Sequence, residues 1–109
     1  MSERVKYMRL IVFFDLPVDT PKRRHDYRVF RRFLVKNGYL MMQKSVYSKL
    51  AVDGKMCASL ITQIAKNKPP EGFVQVLKVT EKQFGNIVNI VGDEVKNDVE
   101  DSLETLVVL

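Results

Sequence analysis

The chain has 109 residues, 46% of them hydrophobic, and a formal net charge of +5 at pH 7. This length fits one domain with a substantial core and leaves little room for a second, and the hydrophobic fraction excludes a disordered chain. The single cysteine excludes an intramolecular disulfide, and no run of eighteen apolar residues or apolar signal region is present, so we expect a soluble, cytoplasmic protein without membrane contact.

The positive charge is concentrated in the first half of the chain. Residues 1–50 contain twelve Lys or Arg against four Asp or Glu, whereas residues 51–109 contain six against nine. The basic half is therefore predicted to contact a polyanion, and nucleic acid is favoured over a membrane surface.

The first predicted elements are a strand and a basic helix. Residues 8–15 are apolar on both faces, which favours a central position in a sheet. A helix follows up to about residue 36, with Asp19 or Thr20 as its cap, Pro21 in its first turn and Asn37-Gly38 as its end.

A hairpin, a second helix and a further strand come next. Tyr39–Gln43 and Val46–Ala51 are predicted to be two short strands. Apolar residues at helical spacing predict a helix over about 55–67, and Phe73–Val79 is predicted to be a strand.

The last part of the chain contains one clear local signal. Thr80 and Gln83 match a capping box, which predicts a helical turn from Thr80 to about Asn86. Residues 93–102 are acidic and predicted to be a loop, and Leu103–Leu109 is a candidate final strand.

This order of elements predicts an α+β fold. A ferredoxin-like βαββαβ domain over residues 1–92 would place both helices on one face of a four-stranded antiparallel sheet, with residues 93–109 as an extension. The other sheet face is also apolar, and so small a chain leaves only a second copy to cover it. We therefore expect a homodimer, with Leu103–Leu109 pairing at an edge of the partner's sheet.

Asp15 is the candidate catalytic and metal-binding residue. It ends the first strand, and Pro17 removes a nearby backbone donor, so the carboxylate is expected at the rim of the fold. A dimer would bring two copies together, and paired carboxylates suit Mg²⁺ or Mn²⁺, with Asp19 as a possible helper. The alternative interpretation is a carboxylate that caps the helix or stabilises the turn.

The basic helix is the candidate nucleic-acid interface. Residues 22–36 hold seven cations against one anion, Asp26, which is too little internal pairing for an ordinary salt-bridged surface helix. Spacings of three and four residues put most of its arginines on one stripe. The residues predicted to bind nucleic acid are Arg23, Arg24, Arg28, Arg31 and Arg32; the alternative is a plain solvated face.

Four other residues with reactive side chains are interpreted as structural. His25 is the only histidine and is expected at the surface, while Cys57 falls on the apolar stripe of the second helix and is expected in the core. Ser45 and Tyr47 belong to the hairpin, where a phosphate-binding or catalytic role is the less favoured interpretation.

Three segments together resemble one family. They are Phe13-Phe14-Asp15-Leu16-Pro17 with the basic helix behind it, the hairpin run Gln43-Lys44-Ser45-Val46-Tyr47, and Val79-Thr80-Glu81-Lys82-Gln83-Phe84. Their order and spacing are similar to those of the small CRISPR-associated adaptation proteins of the Cas-two family, most closely the type II-A branch.

The resemblance implies a ferredoxin-like homodimer that joins two dimers of the adaptation integrase in a heterohexamer and holds the double-stranded DNA destined to become a new spacer. Family members are also described as metal-dependent endoribonucleases acting on single-stranded RNA, some of which cut double-stranded DNA. By position, Asp15 is their Mg²⁺ or Mn²⁺ ligand. Many members continue the hairpin with Glu-Gly where this chain has Ser48-Lys49, which removes an acid near the site.

A non-catalytic ferredoxin-like module that binds nucleic acid or regulates another protein is the competing hypothesis. Residues 9–14 lack the aromatic and glycine pattern of an RNA-recognition motif. A ferredoxin-like transposase would need a pair of histidines, and the chain contains one.

Overall fold

The computed structural model describes residues 7–92, which form a four-stranded antiparallel sheet with helices. The elements are β1 (Met8–Asp15), α1 (Pro21–Lys36), β2 (Leu40–Gln43), β3 (Val46–Ala51), α2 (Gly54–Lys66), β4 (Phe73–Thr80) and α3 (Glu81–Phe84). The strand order is β2-β3-β1-β4, and every neighbouring pair is antiparallel. The predicted α+β, ferredoxin-like fold is confirmed.

Both ends of α1 follow the predicted local chemistry. The Thr20 hydroxyl accepts a hydrogen bond from the backbone N–H of Arg23 at 3.1 Å, and Pro21 occupies the first turn. At the other end, Gly38 has a φ of 87°. The N–H of Tyr39 donates to the carbonyl of Leu34 at 3.0 Å, which completes a Schellman-type helix end.

The predicted strand Tyr39–Gln43 was one residue too long at its start, and the end of α1 explains why. Because Tyr39 is used to terminate α1, β2 begins at Leu40. The pairing of β2 with β3 then shifts register between Met41 and Gln43, where a bulge interrupts the ladder. The short β2 strand lies at one edge of the sheet, and β4 lies at the other.

The core lies between the helices and one face of the sheet. Leu10, Val12 and Phe14 alternate along β1 toward this side and are buried. The Phe14 ring lies 5.2 Å from that of Phe30 and 5.7 Å from that of Tyr47, between centroids. The remaining buried members of the cluster are Leu16, Leu34, Tyr39, Ala51, Cys57 and Ile64.

The opposite face, which we call the open face, is incompletely covered in one copy of residues 7–92. Arg9, Ile11, Phe13 and Asp15 have the opposite parity to the core residues of β1 and therefore point to this side. Phe13 is 37% exposed. On β4 and β3 the same face carries Phe73, Leu77 and Leu50, which are 73%, 49% and 40% exposed.

The short helix α3 covers one end of the open face. The Arg9 guanidinium forms a bidentate pair with Glu81 at 3.0 and 2.6 Å and lies 4.3 Å from the centre of the Phe84 ring. The predicted capping box of Thr80 and Gln83 is present in both directions.

Three predictions lie outside the described residues or are left untested by them. The acidic loop over 93–102 and the candidate strand Leu103–Leu109 lie outside residues 7–92, and the domain limit at residue 92 stays a prediction. Within the described part of the chain, no helix has the length and apolar character needed to cross a bilayer.

Candidate nucleic-acid interface and metal-binding carboxylate

Asp15 lies at the end of β1, as predicted, and the structure shows on which face of the sheet its side chain lies. It is the last residue of β1, pairs across the sheet with Phe73 of β4 and is exposed. Its parity places it on the open face rather than in the core. A second copy covering that face would therefore approach the carboxylate.

One copy supplies only part of a metal site. Residues 7–92 contain no cluster of three or more His, Cys, Asp or Glu side chains able to hold an ion. A carboxylate oxygen is the donor that Mg²⁺ and Mn²⁺ prefer, and these ions need only a few protein ligands because they retain waters. Asp15 therefore fits a hard cation in donor type, and it fits in number only together with a second carboxylate.

The loop before β4 packs closely against the backbone at the end of β1. Gly72 has a φ of 94°, and a Cβ atom there would lie 2.6 Å from the Asp15 carbonyl oxygen and 2.8 Å from Cδ2 of Leu16. Only glycine tolerates both the conformation and the contact. In the sequence, Gly72 marks the start of the predicted strand after Pro69-Pro70, but its contact with Asp15 and Leu16 is visible only in the fold.

Arg23 ties that same loop to the first turn of α1. Its Nε and Nη2 atoms donate to the two carboxylate oxygens of Glu71 at 2.8 and 3.1 Å. Its Nη1 atom donates to both oxygens of Asp19 at 3.1 and 3.2 Å. Glu71 is 48 residues from Arg23 in the chain, so no local sequence signal identified this pair.

These ion pairs shift the ionisation of their members. Hydrogen bonding to Arg23 and its positive charge hold the pKa of Glu71 below its usual value, and the Glu71 and Asp19 carboxylates raise the pKa of Arg23. Glu71 and Arg23 are therefore both charged at neutral pH, and one guanidinium faces two carboxylates in this network. Arg23 differs in this respect from the other predicted nucleic-acid-binding arginines.

The remaining predicted arginines lie exposed on the side of α1 away from the core. Among residues 7–92, Arg28, Arg31 and Arg32 take part in no ion pair or side-chain hydrogen bond. Arg24 is also exposed, and its Nη1 atom donates to the carbonyl of Val18 at 3.0 Å. Near the start of the helix, Lys22 pairs with Asp26 at 3.1 Å.

Helix geometry divides the cations of α1 that have no acidic partner within residues 7–92 into two rows. At 100° per residue, Arg24, Arg28 and Arg31 follow one strip of α1. Arg32 and Lys36, four residues apart, form a second row beside a groove between α1 and α2. We call the residues Arg24, Arg28, Arg31, Arg32 and Lys36 the cation rows.

The residues interpreted as structural are placed accordingly. His25 is exposed, and Cys57 is fully buried. Tyr47 is also fully buried, with no hydrogen-bond partner for its hydroxyl within the described residues. The Ser45 carbonyl accepts a backbone hydrogen bond from Phe14 at 3.1 Å. These positions match core and hairpin roles.

Comparison with known proteins identifies the family. The model of the family "CRISPR associated protein Cas2" matches residues 8–87. Proteins named CRISPR-associated endoribonuclease Cas2 are 55% identical in Treponema denticola and 45% identical in Lacticaseibacillus rhamnosus, each alignment covering 94% of this chain and 100% of the relative. A Streptococcus mutans protein of the same name is 42% identical over 79% of both chains. With its ferredoxin-like sheet and strand-end aspartate, the chain belongs to the CRISPR-associated Cas2 family.

Proposed function

We propose that this chain acts in CRISPR adaptation as a homodimeric scaffold that binds double-stranded DNA and bridges two dimers of the adaptation integrase in the prokaryotic cytoplasm. The observation that carries the proposal is the set of exposed guanidinium groups on α1 that have no acidic partner within residues 7–92. Phosphate contacts from such groups position a duplex without reading its sequence, which suits a protein that must hold fragments of any sequence.

The open face supports the homodimer. Phe13, Leu77 and Phe73 leave apolar area in water that a second copy would cover. Because α1 and α2 pack on the other side of the sheet, dimerisation through the open face leaves the cation rows of both copies free. Two sets of rows would then lie on opposite outer faces of the assembly.

Charge reversal of one row tests DNA binding. The triple variant R24E/R28E/R31E is expected to lose affinity for a double-stranded DNA fragment by at least tenfold at physiological salt, because several phosphate contacts are replaced by repulsion. Fluorescence anisotropy of a labelled duplex measures the affinity, and spacer acquisition in cells measures the biological role.

A control with the same change in charge separates contact from net charge. K55E/K66E/K68E alters three exposed lysines on and after α2 and is expected to retain most of the affinity. Thermal unfolding verifies that both variants fold. Equal affinity loss in the two variants, or wild-type affinity in the arginine variant, would remove the basis of the scaffold proposal.

A metal-dependent endoribonuclease activity is the second candidate function, favoured by the exposure of Asp15 on the open face. Its relatives carry the name endoribonuclease. In the proposed dimer, Asp15 and its symmetry mate would hold Mg²⁺ or Mn²⁺, which supplies charge stabilisation at a phosphoryl group and acidifies bound water. The chain's own contribution is to fix the carboxylate on a central strand and to bind the phosphate backbone.

The substitution D15N tests this candidate. It keeps the size of the side chain and removes the charge, so Mn²⁺-dependent RNA cleavage is expected to fall at least a hundredfold while duplex affinity stays within about twofold. Unchanged cleavage in purified D15N would assign the activity to another site or to a contaminant. Lost cleavage with normal spacer acquisition would separate the activity from the adaptation role.

A further inference from the structure

The strongest further feature is the Arg23 network, which lies near Leu16, the residue after Asp15. Arg23 was predicted from the sequence to bind nucleic acid with the rest of α1. In the structure it is half-buried and makes four hydrogen bonds to two carboxylates, Glu71 and Asp19. A phosphate would have to displace these acids, whereas it meets no such competition from residues 7–92 at Arg28 or Arg31.

The network acts on the end of β1 through a short series of contacts. Glu71 precedes Gly72, whose backbone is pressed against the Asp15 carbonyl and Leu16. Asp19 lies at the far end of the loop that begins at Leu16, so one guanidinium joins the loop that follows Asp15 to the residue that precedes Gly72. The ladder pair of Asp15 and Phe73 joins β1 to β4 at this point, and the ion pair adds a second attachment, between the loop before β4 and the first turn of α1.

We propose that Arg23 is a positioning residue for Asp15, holding the strand end through Glu71 and Gly72, and that it is not a contact for DNA phosphates. This inference rests on the proposed role of Asp15 as a metal ligand. Two carboxylates that share one ion across a dimer axis must each be positioned to within a fraction of an ångström. A fixed backbone at Asp15 would meet this requirement.

Two single variants with equal charge change separate the roles. R23Q and R28Q each remove one positive charge from α1. For duplex DNA, the slope of log affinity against log salt concentration reports how many phosphates the protein neutralises. R28Q is expected to reduce that slope by about one, because it removes one cation that neutralises a phosphate, whereas R23Q is expected to leave the slope unchanged. A reduction in R23Q equal to that in R28Q overturns the inference.

Mn²⁺ binding supplies the second readout without any need for activity. In the ¹⁵N-labelled wild-type dimer, Mn²⁺ is expected to broaden the amide signals around Asp15. R23Q is expected to require several-fold more Mn²⁺ for the same broadening, and R28Q the wild-type amount. Removing a nearby cation would by charge alone strengthen binding of a metal cation, so weaker binding in R23Q indicates that Asp15 is no longer correctly positioned.

The variant E71Q checks the same link from the other side. It removes a negative charge but breaks the same attachment, so it is expected to weaken Mn²⁺ binding as R23Q does, although the change in charge is opposite. Wild-type Mn²⁺ binding in both variants overturns the positioning role and leaves the metal proposal intact. Absence of Mn²⁺ broadening in the wild type overturns the metal proposal and the positioning role together.

Discussion

At the scale of single residues, Gly72 is required because it has no side chain. Its φ of 94° and the 2.6 Å approach of a would-be Cβ to the Asp15 carbonyl oxygen leave no room for any other residue. The contact also brings the loop before β4 against the strand end that carries Asp15. The position that requires glycine is therefore in contact with the candidate metal ligand, Asp15.

The substitution G72A is therefore expected to destabilise the fold by roughly 2 kcal/mol or more, because alanine is strained at this φ and its Cβ overlaps backbone atoms. Urea unfolding of purified protein measures the change. G54A is the matched control: Gly54 begins α2, and a Cβ there would meet nothing within 4 Å. Its stability is expected to stay equal or rise slightly; a G72A variant as stable as G54A would contradict the strain argument.

At the scale of elements, α3 combines a local cap with contacts to the residues of and before β1, among them a hydrogen bond from the Glu81 N–H to the Tyr7 carbonyl at 3.2 Å. The capping box of Thr80 and Gln83 forms the turn locally, and the Arg9–Glu81 pair with the Phe84 ring fixes it over the open face. The cap was visible in the sequence because its two residues are three positions apart. The ion pair was not, because its members are 72 residues apart.

The ion pair of α3 makes stability depend on pH in a defined window. Hydrogen bonding to Arg9 holds the pKa of Glu81 below its ordinary value of 4.5. A carboxylate with a depressed folded-state pKa contributes stability above its unfolded pKa and loses it as the pH falls through the folded value. We therefore expect wild type to exceed E81Q by about 1 kcal/mol at pH 7, since the pair is partly exposed, and by progressively less as the pH falls through the lowered folded-state pKa of Glu81.

Thermal unfolding of wild type and E81Q between about pH 7 and pH 2.5 measures this difference. K82Q is the control at the adjacent, exposed position of α3, and its difference from wild type is expected to stay small and not to shrink selectively in that acid range. A gap between wild type and E81Q that persists at the acid end would show that the pair is not its source.

At the scale of the whole molecule, the two faces of the sheet differ in how much of their apolar surface is buried. The helix-covered face forms the core, while the open face combines apolar exposure with Asp15 at its rim. The cation rows lie on the far side of the layer of helices. Under the proposed function, self-association would use the open face and polyanion binding the cation rows, so the two interactions would not compete for space.

The variant L77K tests self-association through the open face. Leu77 is 49% exposed in a single copy, so lysine is tolerated by the fold, but a charge in an apolar interface is expected to weaken the dimer by at least tenfold in Kd. Sedimentation velocity over a range of concentrations measures the state. V35K, at a 50% exposed valine of α1, is expected to remain dimeric, and equal dissociation of both variants would argue against this interface.

The sequence by itself determined the order of the elements in residues 7–92 and their limits to within two residues, because caps, helix ends and alternation depend on residues a few positions apart. Thr20, Gly38 and the alternation along β1 are examples. It also indicated Asp15 and the basic helix as functional candidates. The one-residue error at Tyr39 arose where two elements compete for the same residue.

Only the tertiary structure decided which basic residues are free and which face carries Asp15. Glu71 and Asp19 engage Arg23, so an arginine that looks equivalent to Arg28 in the sequence has a different electrostatic environment. The physical reason is that a charge is neutralised by what lies within a few ångströms in space, whatever the separation along the chain. Local spacing predicts a stripe of arginines on α1, and the folded contacts set Arg23 apart from the other predicted nucleic-acid-binding residues.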